Sequence, residues 1–470
     1  MPATPNILLL MTDQQRYDSP GYYRGDGTSD TPHLDQLAAG GVIFDHAYSS
    51  DTACIPARSS LMTGLLPHRV PTGGWRPRAQ TNSGLALREG FWTLAHALRD
   101  AGYRTGLFGK MHFAPIRAQH GFDVMHTCEH LPAGYDPREQ DDYRRWILST
   151  GRKDLRFVRP TVPKVFPYEA EAHPTRWITR HALEFLEAGQ AGGRPEAAPP
   201  WFAVVSYTDP HTPFSPPEPY ASMFPPGEET LPTSTIDSNR GLPWPFSEIM
   251  EPPQAGEFFA PQRVDRHSED HLRKVLAAIR AGIRHVDDTI GEILQQVDLA
   301  NTLVIFLSDH GDYGGHRGFL GKIPWLPFDD LARVPFFMAG AGVAGGRRVS
   351  SPVQSFDYVA TVLERVGLVK PCADMESSSL ATVLAGAAAE ADRAVFCGTM
   401  EGTPMLRRGR YKHIWHSVAD VNILYDLEQD PHETRNIADD SAHRDLLAAN
   451  IAVMREVLAR PIPDLWRTGV

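Results

Sequence analysis

The sequence predicts an α/β fold: a mostly parallel central sheet with helices on both faces, followed by a smaller C-terminal α+β domain with a short antiparallel sheet. Three observations carry that reading. Short apolar runs at 6–11, 103–108, 201–207 and 302–308 alternate with helical stretches, the pattern of parallel strands joined by crossovers. Each run stops at a polar cluster: Thr12-Asp13-Gln14, Gly109-Lys110-Met111-His112, Asp209-Pro210-His211 and Asp309-His310-Gly311. From about residue 371 the pattern changes to short strands with no helix between them. The boundaries that follow are 1–370 for a catalytic α/β domain and 371–470 for the smaller one.

In chain order, residues 6–11 read as a buried strand. Thr31-Pro32 opens a helix that runs to Ala39 and ends at Gly40-Gly41, proline at the start and glycine past the end. Cys54-Ile55-Pro56-Ala57-Arg58 opens a short helix that Gly64 stops. A helix start offers free N–H groups and partial positive charge, which suits an anion. A cysteine beside an arginine at that place is poorly suited to passive packing. Residues 91–101 have helical spacing, with Gly102 as the stop, and 103–108 form the next strand. Stretches 132–200 and 213–261 are proline-rich and read as long loops over the sheet edge or the pocket mouth. Residues 201–207 are a strand, 270–297 a long amphipathic helix, and 302–308 a strand.

The run from Gly340 to Gly345 matches G-x-G-x-x-G after a strand at 334–338. A dinucleotide site needs a helix to open there, and Gly346-Arg347-Arg348-Val349-Ser350-Ser351-Pro352 does not start one, so this is a loop. Residues 394–399, 405–415 (with a turn at Arg408-Gly409) and 423–426 read as antiparallel strands. A helix near 441–458 closes the chain.

The bulk numbers bound the function. The chain has 470 residues, ample for a large core, and a formal net charge of −11, which argues against a nucleic-acid scaffold. An anionic substrate would need a locally positive pocket. Cys54, Cys128, Cys372 and Cys397 form no C-x-x-C pair, and low cysteine use favours a reducing compartment. The first residues have no basic region and only a short apolar run, so neither a signal peptide nor a membrane span is expected. The expectation is a soluble, cytoplasmic enzyme with no membrane or nucleic-acid partner; a homo-oligomer stays open.

Open α/β sheets bind ligands beyond the carboxyl ends of their strands, so Asp13, Lys110, His112, His211, Asp309 and His310 are expected to converge. Asp13, Gln14, Asp309 and His310 together suit one divalent cation. Oxygen ligands favour calcium or magnesium, and the imidazole moves the preference toward manganese, so Ca2+ and Mn2+ both stay open. Arg58, Lys110, His112, His211 and Lys322 form a second set, fixed cations and proton carriers of the kind a tetrahedral oxyanion needs. Trp75, in the loop at Gly73-Gly74, is expected to touch the leaving group.

The cysteine stretch resembles the signature of the sulfatase family, C-x-P-[SA]-R-x4-T-G, with every defining position present from Cys54 to Gly64. Further motifs follow in order: G-K-x-H at 109–112, H-x-P-F at 211–214, S-D-H-G at 308–311 with Gly321-Lys322 beyond it, and L-Y-D-L-x-x-D-P-x-E-x-x-N at 424–436. Across most of its length the chain resembles a formylglycine-dependent sulfatase of the alkaline-phosphatase superfamily. The resemblance implies that a formylglycine-generating or sulfatase-maturing enzyme oxidises Cys54 to formylglycine, whose hydrate is the nucleophile. It implies that Asp13, Gln14, Asp309 and His310 hold the metal, with residue 54 against it. Arg58 and Lys110 would steady the nucleophile and the sulfate. His211 and Lys322 would bind sulfate and assist the leaving group, and His112 would take the proton that restores the aldehyde.

The implied activity is hydrolysis of small sulfate esters of the arylsulfatase type. Gln14 and His310 depart from the Asp and Asn of many sulfatases and look more like choline sulfatases and phosphonate monoester hydrolases. Lys110 and His112 keep the sulfatase form. Sulfate esters are therefore favoured, with phosphonate monoester or phosphodiester hydrolysis as the alternative. A third reading is an oxyanion-binding protein with an unmodified Cys54.

Overall fold

The computed structural model describes residues 4–25, 27–71, 87–113, 115–129, 141–156, 163–190, 199–250, 263–264, 267–322, 326–398 and 402–467. Its central sheet has eight strands, in the order Arg347–Val349, Val42–Phe44, Phe336–Gly340, Thr302–Ser308, Asn6–Asp13, Trp201–Pro210, Arg104–Gly109 and Val124–Thr127. Phe336–Gly340 runs antiparallel to both neighbours, and the other pairings are parallel.

Asn6–Asp13 lies in the middle, between Trp201–Pro210 and Thr302–Ser308. Its side chains alternate between two cores. Ile7, Leu9 and Met11 pack with the helices Cys54–Thr63, Leu94–Asp100, Tyr358–Arg365 and Arg444–Leu458. Leu8 and Leu10 pack with Pro32–Ala39, Pro174–Gln190 and Glu269–Gln295. A strand covered on both faces must be apolar at nearly every position, which is why these strands stand out in the sequence.

The proline-rich stretch 132–200 is not all loop. Among its described residues two α-helices lie there, Asp142–Ser149 and Pro174–Gln190. Asp141 caps the first by accepting the Arg144 N–H at 2.7 Å. The second begins at a proline, where the missing N–H costs nothing. It buries Trp177, Ile178, Ala182, Phe185 and Leu186 against the sheet, at helical spacing. The prolines on either side obscure that period. Past the strand end at Gly340 the chain is a loop over 341–346 that leads directly into the strand Arg347–Val349, with no helix opening there, as the sequence suggests.

Near the C-terminus Ala394–Cys397, Met405–Arg408, Tyr411–His416 and Val421–Asp426 make a four-stranded antiparallel sheet. One face buries Val395, Cys397, Met405 and Ile414 against Tyr48, Phe328 and Leu331. Phe396, Leu406 and Trp415 join the first core. The small sheet therefore packs directly on the segments that frame the cysteine helix. Among the described residues no helix is long and apolar enough to cross a membrane.

Candidate active site

The strands Asn6–Asp13, Arg104–Gly109, Trp201–Pro210 and Thr302–Ser308 are in parallel register, and their carboxyl ends lie side by side: Asp13 opposite Pro210, Thr12 opposite Ser308, Gly109 opposite Ser206. Cys54 is the first residue of the helix that faces this rim. The preceding Ala53 is extended (φ −119°, ψ 146°) and supplies no side-chain cap, so the helix start is left to other partners. All ten helix residues are buried. The helix ends at Gly64, φ 69°, where a Cβ would meet Met375 Cε at 2.4 Å. The glycine of the T-G ending is thus required by its left-handed conformation.

The groups expected to converge do so. Cys54 Sγ lies 3.8 Å from Asp13 Oδ1, 3.2 Å from His310 Nε2, 3.4 Å from Lys110 Nζ and 2.5 Å from Lys322 Nζ. The His112 side chain also faces the Cys54 sulfur and helps hold its thiol down. Lys322 Nζ is 3.2 Å from His310 Nε2 and 3.5 Å from His211 Nε2. Lys110 Nζ donates to Asp13 Oδ2. Arg58 donates through Nε to Asp309 Oδ2 at 2.7 Å, and through Nη1 to the Lys110 carbonyl at 2.6 Å and Ser206 Oγ at 2.8 Å. Asp13, Cys54, Arg58, Lys110, Asp309 and His310 are fully buried; His211 and Lys322 are half-buried and border the rim.

Charge follows from this packing. Burial pushes the Cys54 thiol up, but Lys110, Lys322 and His310 pull it well below its ordinary value. Burial likewise raises Asp13, and Lys110, His211 and Arg58 outweigh it, so this carboxyl sits well below the usual range. The buried thiol and the Asp13 carboxyl are thus both held toward their charged forms by neighbouring cations.

Asp13, Cys54, Asp309 and His310 each offer one ligand atom, all within 4.8 Å of one another. The donor set fits a divalent cation. His310 Nδ1 lies 2.8 Å from the Gly311 carbonyl; a proton held there fixes the tautomer and leaves the Nε2 lone pair for a metal. Asp309 Oδ1 accepts the N–H groups of Gln14 (3.0 Å) and His310 (2.9 Å), which orients it. Gln14 adopts φ 65° and donates its side-chain N–H to Asp312 Oδ2 at 2.6 Å, so its carbonyl oxygen is the atom left for a cation. A second acidic group, His33 with Asp287 and Asp288, is structural: the Asp287 carboxylate accepts the His33 and Leu34 N–H groups at 3.0 and 2.9 Å and caps the helix Pro32–Ala39.

Three residues at the rim were not expected from sequence. Glu129 is 2% exposed and accepts the backbone N–H of Met111 and of His112. It follows the strand Val124–Thr127, a four-residue strand without a continuous apolar run, so the strand-end pattern in the sequence does not extend to it. Ser49 Oγ lies 2.5 Å from the Asp309 carbonyl, and Asp51 Oδ1 accepts the Ala53 N–H at 3.0 Å. Burial pushes the Asp51 carboxyl well above its ordinary value. Both belong to the polar stretch just before the cysteine, which was the available signal. Trp75 lies outside the described residues.

A family model described as Sulfatase matches residues 5–368, and one described as N-sulphoglucosamine sulphohydrolase, C-terminal, matches 315–459. A choline-sulfatase of Rhizobium meliloti is 30% identical over 485 residues, covering 95% of this chain and 86% of that protein. An arylsulfatase of Clostridium perfringens is 26% identical, covering 97% and 94%. Among solved structures, the phosphonate monoester hydrolase of Agrobacterium radiobacter matches with a TM-score of 0.74 at 25% identity, covering 97% of this chain and 95% of that one.

Proposed function

This chain belongs to the sulfatase family, and we propose that it hydrolyses small sulfate monoesters, aryl sulfates among them, with residue 54 as nucleophile after Cys54 has been oxidised to formylglycine by a maturation enzyme. The observation that carries the reading is the convergence at Cys54 Sγ of Lys110, Lys322, His310 and Asp13, all within 3.8 Å. No packing role calls for two ammonium groups on one buried sulfur.

Formylglycine supplies the hydroxyls of a hydrated aldehyde, and a divalent ion, Ca2+ or Mn2+, supplies the charge that lowers their pKa. Asp13, Gln14, Asp309 and His310 would hold that ion, with residue 54 against it. Arg58 fixes Asp309 and the Lys110 carbonyl, so it keeps the rim in register rather than meeting the substrate alone. Lys110 neutralises charge on the nucleophile side. Lys322 and His211 lie together on the open side, where the ester oxygen departs. As the S–O bond to the alcohol breaks, one of them gives that oxygen a proton and the other stays cationic toward the sulfate oxygens. His112 takes a proton at residue 54 when sulfate leaves. Overall, water adds across the S–O bond, giving sulfate and the alcohol.

A second reading, phosphonate monoester or phosphodiester hydrolysis with the same nucleophile, draws on the Agrobacterium likeness and on Gln14 and His310. Parallel kcat/KM values for an aryl sulfate and an aryl phosphonate, taken on protein whose intact mass shows an aldehyde at residue 54, test the proposal. A higher value for the sulfate is expected. A higher value for the phosphonate selects the second reading. A thiol retained at Cys54 in protein from the native host, with no turnover of either ester, points to oxyanion binding alone.

A further inference from the structure

We propose that Glu129 is a positioning residue that holds the Lys110–His112 loop in register with residue 54. The inference rests on the roles proposed above for Lys110 and His112. This loop leaves the sheet in an awkward conformation. Gly109 has φ 110°, and a Cβ there would meet the Ser206 carbonyl oxygen at 1.9 Å. His112 has φ 59°, a left-handed backbone that a non-glycine residue adopts only when its surroundings impose it. Beyond Lys110 N–H, which reaches the Ser206 carbonyl at 3.0 Å, the loop leaves the sheet's ladder. The next two N–H groups are taken by one carboxylate. Glu129 Oε1 accepts from Met111 at 2.8 Å and from His112 at 3.0 Å, and Oε2 accepts from His112 at 2.9 Å.

Hydrogen bonds to an ionised, buried acceptor are short and strong, and a bidentate arrangement fixes direction as well as distance. Glu129 is itself anchored. Its N–H donates to Asp141 Oδ2 at 2.5 Å, and its carbonyl accepts from Arg156 Nη1 at 2.6 Å. Arg156 is paired with Asp141 and Asp154, each at 2.6 Å. A buried chain of bonds thus runs from the helix start at Asp141 through Glu129 to the backbone of Met111 and His112, the segment that follows Lys110. Glu129 does not touch the sulfur, so its effect on turnover passes through the loop.

Glu129→Gln keeps the shape of the side chain but offers a single acceptor oxygen, and sets an NH2 group against a backbone N–H. The expected result is a folded protein whose melting temperature falls by only a few degrees, with a kcat lower by about 10- to 100-fold and a KM moved less than about threefold, as for a misplacement on the order of 1 Å. Its crystal structure should show Lys110 and His112 displaced, a readout that needs neither turnover nor a matured residue 54. Glu129→Asp, which keeps both oxygens, should recover about tenfold over Glu129→Gln. The rates are read on whichever ester the wild type turns over fastest, so a wrong substrate class leaves this test intact. The proposal is overturned by a Glu129→Gln protein with wild-type kcat, by loop atoms that superpose on the wild type, by a Glu129→Asp no faster than Glu129→Gln, or by an isosteric variant that does not fold at all.

Discussion

Arg58 Nε donates to Asp309 Oδ2 at 2.7 Å, and both side chains are fully buried. This bond ties the helix that begins at Cys54 to the end of the strand Thr302–Ser308, which carries Asp309 and His310. Breaking a buried ion pair by removing one partner costs about 3–5 kcal/mol, because the other charge is left unpaired. Arg58→Ala should lose that much in urea unfolding and should not turn over substrate. Arg58→Lys keeps the charge but not the planar fork that also reaches Lys110 and Ser206, so it should recover part of the stability and little of the activity. An Arg58→Ala protein within about 1 kcal/mol of the wild type would show that the pair does not hold the rim together.

Metal removal should be visible without any assay of turnover. A cation that binds only the native state stabilises it by about 2.7 kcal/mol at a hundredfold excess over Kd. Exhaustive chelation should therefore lower the melting temperature, and Ca2+ or Mn2+ should restore it. Asp309→Ala and His310→Ala should lose that response, since each removes one of the four ligand atoms that lie within 4.8 Å of one another. A melting temperature blind to chelator and to both ions would remove the metal from the site.

Much of this site was legible before the fold, for a physical reason. The strands Asn6–Asp13 and Thr302–Ser308 are covered on both faces, so their apolar runs are continuous and end abruptly at Asp13 and Asp309. A parallel sheet then brings those ends together whatever the distance along the chain. Glu129 was not legible, because Val124–Thr127 is a short edge strand of four residues, three of them only half-buried, with no such apolar signal. The helix Pro174–Gln190 was hidden by neighbouring prolines. Glu433, in the 424–436 motif, could be seen but not interpreted, since its partners Asp329 and Lys412 lie far off in sequence.

Glu433 makes the pH dependence of stability testable. Its Oε2 accepts the Asp329 N–H at 2.7 Å, and Lys412 Nζ lies 2.6 Å from its Oε1 and 2.8 Å from Asp329 Oδ1. One ammonium thus serves two buried carboxyls. Burial raises both; Lys412, Arg333 and Arg407 nonetheless hold Asp329 well below the usual range, while Glu433 is pushed up to about 7. A native-state pKa above the unfolded value of 4.5 means that folding takes up a proton between those limits. This contribution is then largest below pH 4.5 and is lost as pH rises through 7. The stability of the wild type relative to Glu433→Gln should fall by on the order of 2 kcal/mol from pH 4.5 to 7. Parallel pH profiles for the two proteins would refute the shift.

Lys322 and His211 offer the sharpest test of chemistry, because they lie 3.5 Å apart at the open side of the rim and only one of them is needed to protonate the departing oxygen. Removing a preorganised charge of this kind typically costs about 10²–10³ in kcat. Lys322→Ala and His211→Ala should each fall in that range with an aryl sulfate. The two should not be additive, since each variant disturbs the partner it contacts. A series of leaving groups separates their roles. Protonation matters little when the alcohol is acidic and a great deal when it is basic, so the variant that lacks the proton donor should lose progressively more rate along the series. The variant that lacks only sulfate binding should lose a constant factor. If both lose a constant factor, neither donates the proton, and the acid must be sought elsewhere on the rim, where the buried carboxyl of Asp51, which burial pushes well above its ordinary value, is the next group to substitute.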